Sequence, residues 1–208
     1  MKYISLFLII CLTSCNQKKE ELIPFEGLCD CYSTSTETNL DTKFNNCIDF
    51  KKVTENYSSQ KYVEEVKNTV KRLIKQCPKY QQDFNKSFLN KFENPRPSLV
   101  SQKDSLIKCI DTKIEVAKNN SKLAEISIQE KDFDKAMAFV NKALEIEPKN
   151  EYCHWIKSYL FQKKNNFNSA IEEFKFIDRN TTDYNTKGYN ELMIENLNME
   201  WLKNKASI

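Results

Sequence analysis

The spacing of apolar side chains restricts the fold of this chain more than any other feature. Tyr62, Val63, Val66, Val70, Leu73, Ile74 and Cys77 recur at three- and four-residue intervals, which places them along one stripe of a helix but on both faces of a strand. Beyond Pro78 the four-residue step returns in Tyr80, Phe84, Phe88 and Phe92. With only two glycines in 208 residues, the left-handed turns of a hairpin-rich β fold are scarce. An all-α protein is expected.

Prolines punctuate the helices, because each lacks a backbone N–H and disfavours helix at the residue before it. Pro78 divides two helices that should pack together, and Asn94-Pro95-Arg96-Pro97 is the clearest break in the chain. Residues 25–94 are therefore expected to form a helical domain containing several cysteines. Within it, Leu40 to Val53 carries Phe44, Cys47, Ile48 and Phe50 and reads as a further helix between Ser-, Thr- and Asn-rich flanks. After the break, Ser101 and Asp104 have capping-box spacing and should start a helix bearing Leu106, Cys109, Ile110 and Ile114. This helix leads into a second unit, residues 101–180, and a last helical segment, 181–208, has Tyr189, Met193 and Leu197 four apart, widened by Leu192, Trp201 and Leu202.

The N-terminus reads as a secretory signal: Lys2, the apolar run Tyr3 to Leu12, then Thr13, Ser14 and Cys15. That run is shorter than the roughly 20 residues of a membrane-spanning helix. Leu12-Thr13-Ser14-Cys15 resembles the lipobox of bacterial lipoproteins. The resemblance implies removal of residues 1–14, lipidation of Cys15 with acyl chains such as palmitate, and a polar tether over 15–24. Acyl chains contribute about 0.8 kcal/mol per buried methylene, so the implied partner of this end is a lipid bilayer. Asn16 is not the aspartate that retains some lipoproteins at the inner membrane, which points to the outer membrane of a bacterial cell envelope, on its periplasmic or surface face. Lys19-Glu20-Glu21 is similar to a surface-export tag, though further from the cysteine than usual.

Residues 131–150, KDFDKAMAFVNKALEIEPKN, resemble the second half of a tetratricopeptide repeat, a helix–turn–helix unit of about 34 residues. The small positions fall at Ala136 and Ala143, the aromatic at Phe133 and the turn proline at Pro148; Leu123 and Ala124 supply the first helix, with Ser127 in place of the usual aromatic. One period on, Phe167, Ala170 and Phe174 match, with Ser158 and Phe161 before them, so a second repeat runs from about Glu151 to Asn180. Lys157 and Ile177 depart from the pattern, which implies looser packing. The resemblance implies a short α-solenoid, with the last helix covering an end that would otherwise expose apolar surface.

In this family the first helix of each repeat lines a concave groove. The matching positions of the second repeat are Tyr152, Trp155, Tyr159 and Lys163, candidates for binding a protein or peptide partner, because rigid rings bury much area at small entropic cost. Packing against the terminal helix would account for the same rings, and both readings stay open. The lysine and asparagine set that clamps a peptide carboxylate in some relatives is not matched.

Apart from Cys11 in the signal and the lipidated Cys15, the cysteines are Cys29, Cys31, Cys47, Cys77, Cys109 and Cys153. In an oxidising compartment they read as a disulfide framework. Cys29 and Cys31 are expected to staple the N-terminal loop to the helices carrying Cys47 and Cys77, leaving Cys109 and Cys153 as the remaining pair. Reduction should then unfold the N-terminal part first. The spacings fit no zinc pattern, so neither a metal nor another cofactor is expected.

Catalysis finds little support in the residues. His154, the only histidine, neighbours Cys153, and adjacent helical residues project about 100° apart, poor geometry for a thiol and its base; it reads as a solvated helix residue. A net charge of +3, interleaved along the helices, builds no basic stripe for nucleic acid. The expectation is a membrane-anchored interaction module rather than an enzyme. A structural or assembly part of an outer-membrane complex, similar to the repeat-bearing lipoproteins of the barrel-insertion apparatus, comes next, and an enzyme acting through Cys29 and Cys31 last.

Overall fold

The computed structural model describes residues 23–48 and 59–206. The signal segment, Cys15, the tether as far as residue 22, and Phe50 and Val53 lie outside the described residues. The helices are α1 (Leu28–Thr34), α2 (Leu40–Asn46), α3 (Ser59–Gln76), α4 (Pro78–Glu93), α5 (Pro97–Val100) and α6 (Lys103–Asp111), followed by α7 (Val116–Gln129), α8 (Phe133–Ile146), α9 (Glu151–Lys163), α10 (Phe167–Asn180) and α11 (Tyr184–Ala206). Among the described residues there is no strand, and no helix is long and apolar enough to cross a membrane.

The prolines act as their chemistry requires. Cys77 caps α4 and Pro78 takes its first position, where the missing N–H has no helical partner to lose. Pro97 opens α5 in the same way, and this corrects the expected cap at Ser101. Ser101 ends α5, its amide bonded to the Pro97 carbonyl at 3.0 Å and its hydroxyl to Ser98 O at 3.0 Å. α6 starts two residues later, without a side-chain cap, and ends before Ile114.

The two hairpins α7–α8 and α9–α10 are built on one turn used twice. Lys131 (φ 61°) and Asn165 (φ 55°) are both left-handed, and each is followed by a cap: Asp132 accepts from the Lys135 amide at 3.0 Å, Asn166 from the Ser169 amide at 3.2 Å. Small residues bring the helices together. Ala124, Ala136, Ala143, Ser158 and Ala170 are fully buried, and the Ser158 hydroxyl donates to the Ala170 carbonyl at 3.2 Å. The departures at Lys157 and Ile177 do not loosen the second hairpin: Ile177 is 1% exposed, and the Lys157 ammonium lies 3.1 Å from Glu173 Oε1.

The Asn94–Pro97 break separates helices without interrupting the apolar core. One apolar cluster runs from Ile23 through Phe88 and Phe92 to Phe174 and Leu197. The stripe on α4 is the reason, because its rings reach past α3: Phe88 meets Phe174 of α10 edge-on at 5.5 Å. α11 covers α10 and is itself covered by α3, with Lys71–Glu191 (2.9 Å), Lys67–Glu191 (3.4 Å) and Lys75–Glu195 (3.3 Å) across the contact.

Two disulfides, Cys29–Cys77 and Cys31–Cys47, hold α1 to the α3–α4 junction and to the end of α2, with Cα separations of 5.5 and 5.8 Å. They seat Tyr32, fully buried, against Tyr80 at 4.9 Å, with its hydroxyl on Asp83 Oδ2 at 3.1 Å. Cys109 and Cys153 are unpaired, a correction to the pairing expected for them. α6 packs on α7, which keeps Cys109 away from Cys153, enclosed at the start of α9.

Candidate interaction surfaces

Tyr152, Trp155, Tyr159 and Lys163 do share one side of α9, and that side faces the chain's own helices. Phe92 of α4 lies 5.0 Å from the Tyr159 ring and 6.3 Å from that of Tyr152. Glu93 accepts from the Tyr159 hydroxyl at 3.2 Å and pairs with Lys163 at 3.0 Å. Trp155 meets Tyr189 of α11 at 6.0 Å, and its indole N–H reaches Asn190 Oδ1 at 3.4 Å. Burial, with the Glu93 carboxylate beside it, pushes the Tyr159 phenol well above its usual range. The row is therefore not an open groove in this structure, because α4 lies across it and α11 takes its remaining edge. The four-residue aromatic step of α4 was the signal in the sequence that such a helix needed a second apolar neighbour.

A polar network locks the second hairpin on its other side. His154 is buried, with Nδ1 2.6 Å from Glu173 Oε2, Nε2 2.9 Å from the Pro148 carbonyl, and its ring stacked on Phe176 at 4.2 Å. This corrects the solvated histidine expected from the sequence. Burial alone would raise the Glu173 carboxyl, but the hydrogen bond to His154 and the Lys157 charge outweigh it and hold it below the usual carboxylate range. Burial pushes the neighbouring Cys153 thiol up to about 12, so little of it is thiolate near neutral pH.

Glu173→Ala leaves two partners without their acceptor and should cost about 2 kcal/mol at neutral pH, measured by urea unfolding. A carboxyl held low in the folded state contributes above its unfolded value and loses that contribution as pH falls through the folded one. The gap between wild type and variant should therefore close as pH drops below about 4.

The described residues carry open depressions, among them a polar and an apolar one. A polar one of about 440 Å³ lies between the start of α2 and α4, among Asn39, Asp41, Lys86, Ser87, Asn90 and Lys91. An apolar one of about 550 Å³ lies where α6, α7 and α8 meet, floored by Leu123, Phe139 and Ile110 and rimmed by Ile107 and Ile146. It sits at the end of the array away from α11.

The family model of the tetratricopeptide repeat matches residues 117–150, which are the α7–α8 hairpin and the turn after it. No curated protein and no solved structure matches the chain. Repeats of this kind generally mediate binding between proteins.

Proposed function

We propose that this chain is a lipid-anchored protein of the bacterial cell envelope, held at the outer membrane through Cys15, that works by binding another protein. The repeat matched at residues 117–150 is the observation that carries the binding role. The apolar depression between α6 and α8 is the face offered to the partner, since the concave side of the array is filled from within. The anchor rests on the residues around Cys15 and is argued from them alone. Binding is preferred to catalysis because Cys153 is enclosed with its thiol pushed up, and both nitrogens of His154 are already engaged.

Cells fed a clickable fatty acid should label the wild-type protein and leave Cys15→Ser unlabelled, with the variant moving from the membrane to the soluble fraction. An unlabelled wild type would remove the anchor from this reading. Crosslinking in intact cells, followed by mass spectrometry, should place partner crosslinks on α6 and α8 and lose them in Ile107→Asp. Crosslinks that are the same in both proteins would count against the face.

A further inference from the structure

Trp201 and Leu202 stand side by side in the last turns of α11. Leu202 is 51% exposed and Trp201 is half-buried, and among the described residues neither belongs to an apolar cluster. From Trp201 to Ile208 the sequence has two lysines and no acidic residue. The Lys205 ammonium lies 4.3 Å over the Trp201 ring, so cation and ring form one unit. Lys203 is tied back to Glu200 at 3.5 Å and to Gln81 of α4. A lone exposed leucine is ordinary. A tryptophan and a leucine together, with lysines and no acid around them, have the composition of a helix end that meets a membrane interface.

The position of this helix end gives the second argument, because the chain enters the fold beside it. Ile23 is buried, the Phe25 ring lies 4.1 Å from Arg72 near the end of α3, and Cys29–Cys77 ties α1 to the α3–α4 junction. α11 reaches the same junction through Lys75–Glu195 (3.3 Å) and through the Gln81 amide, which donates to Glu200 at 2.9 Å. It continues six residues beyond Glu200, or about 9 Å. Cys15 lies eight residues before Ile23, a span of at most about 28 Å. A bilayer that holds Cys15 is therefore within reach of this end, and so short a tether keeps the α11 tip at high local concentration next to it. Tryptophan rings settle between headgroups and acyl chains, while lysines extend their ammonium groups toward the phosphates.

We infer that the last turns of α11 seat on that bilayer, with Trp201 and Leu202 at the headgroup boundary and Lys205 facing anionic headgroups. This rests on the reading of Cys15 as a lipid anchor and gives the anchored protein a second contact with the membrane.

The test uses the lipidated protein, purified from membranes and reconstituted in vesicles of phosphatidylethanolamine and phosphatidylglycerol, with bromine high on the acyl chains or with none. Trp155→Phe leaves Trp201 as the one tryptophan. Bromine quenches a ring only at close contact, so the emission should fall in the brominated vesicles. Adding Leu202→Asp and Lys205→Glu should restore it to the level of unbrominated vesicles. Both positions are exposed, and an unchanged helical circular dichroism signal confirms that each variant folds. If the acylated protein floats with the vesicles but its emission is the same with and without bromine, the inference is overturned and the anchor stands. Quenching that persists in full after Leu202→Asp and Lys205→Glu also overturns it. A protein that carries no acyl chain and stays out of the vesicle fraction removes anchor and contact together, whereas one that carries none yet floats and is quenched removes the anchor and keeps the contact.

Discussion

Replacing Phe92 with alanine should lower the unfolding free energy of the whole chain by about 3–5 kcal/mol, the usual cost of emptying a large aromatic site in a core. Phe92 is 2% exposed and its ring lies within 5.5 Å of Phe88 and 5.0 Å of Tyr159. The cavity would open at the junction of α4 and α9, between the part of the chain before Asn94 and the repeats after it. A single urea transition, displaced as a unit for both secondary structure and tryptophan emission, is the expected result. Both tryptophans, Trp155 and Trp201, belong to the later part, so their emission reports whether the repeats feel a loss made in α4. If emission kept its midpoint while part of the helical signal was lost early, the two parts would be separate folding units after all. Tyr159→Phe is the control, since it keeps the ring and removes only the bond to Glu93, worth about 1 kcal/mol.

Reducing both disulfides should release α1 and α2 before anything else. Each helix has seven residues, far below the length at which an isolated helix holds together in water. The bridges close spans of 48 and 16 residues, and each is worth about 2–4 kcal/mol through the freedom it removes from the unfolded chain. Hydrogen exchange in reductant should show α1 and α2 losing protection while α9 and α10 keep theirs. The released face includes Tyr80 and Asp83. Asp83 is held below the usual carboxylate range, despite burial, by its hydrogen bonds from Lys79, Tyr32 and Lys43, two of which come from the detached helices. Equal protection throughout, with and without reductant, would show that the bridges add nothing to what packing already holds.

The helices were legible because apolar spacing and proline placement are local properties, and each acts within a turn or two of where it stands. Pro78, which divides two helices, is of this kind. The alanine and phenylalanine positions of the repeats were legible too, because a 34-residue unit packs mainly against itself and its neighbour. The fate of Tyr152, Trp155 and Tyr159 was not. An aromatic stripe looks the same whether it meets a stranger or a helix sixty residues earlier in the same chain, and only tertiary packing tells the two apart. His154 was misread for a related reason: its partners, Glu173 and the Pro148 carbonyl, lie across a turn, and nothing in its immediate neighbours marks it as enclosed. The depression between α6 and α8 depends on where α6 stops, at Asp111, short of the Ile114 that apolar spacing had included in the same helix.

The clasp between α3 and α11 has a consequence for how the protein is made. Lys71 and its partner Glu191 are 120 residues apart, and synthesis proceeds from the amino end. Phe84, Phe88 and Phe92 therefore leave the ribosome long before the segments that cover them exist, and such uncovered apolar surface is prone to aggregate. A holdase that shields this early half until the last helix arrives should raise the yield of native molecules, and slowing elongation after residue 100 should lower it.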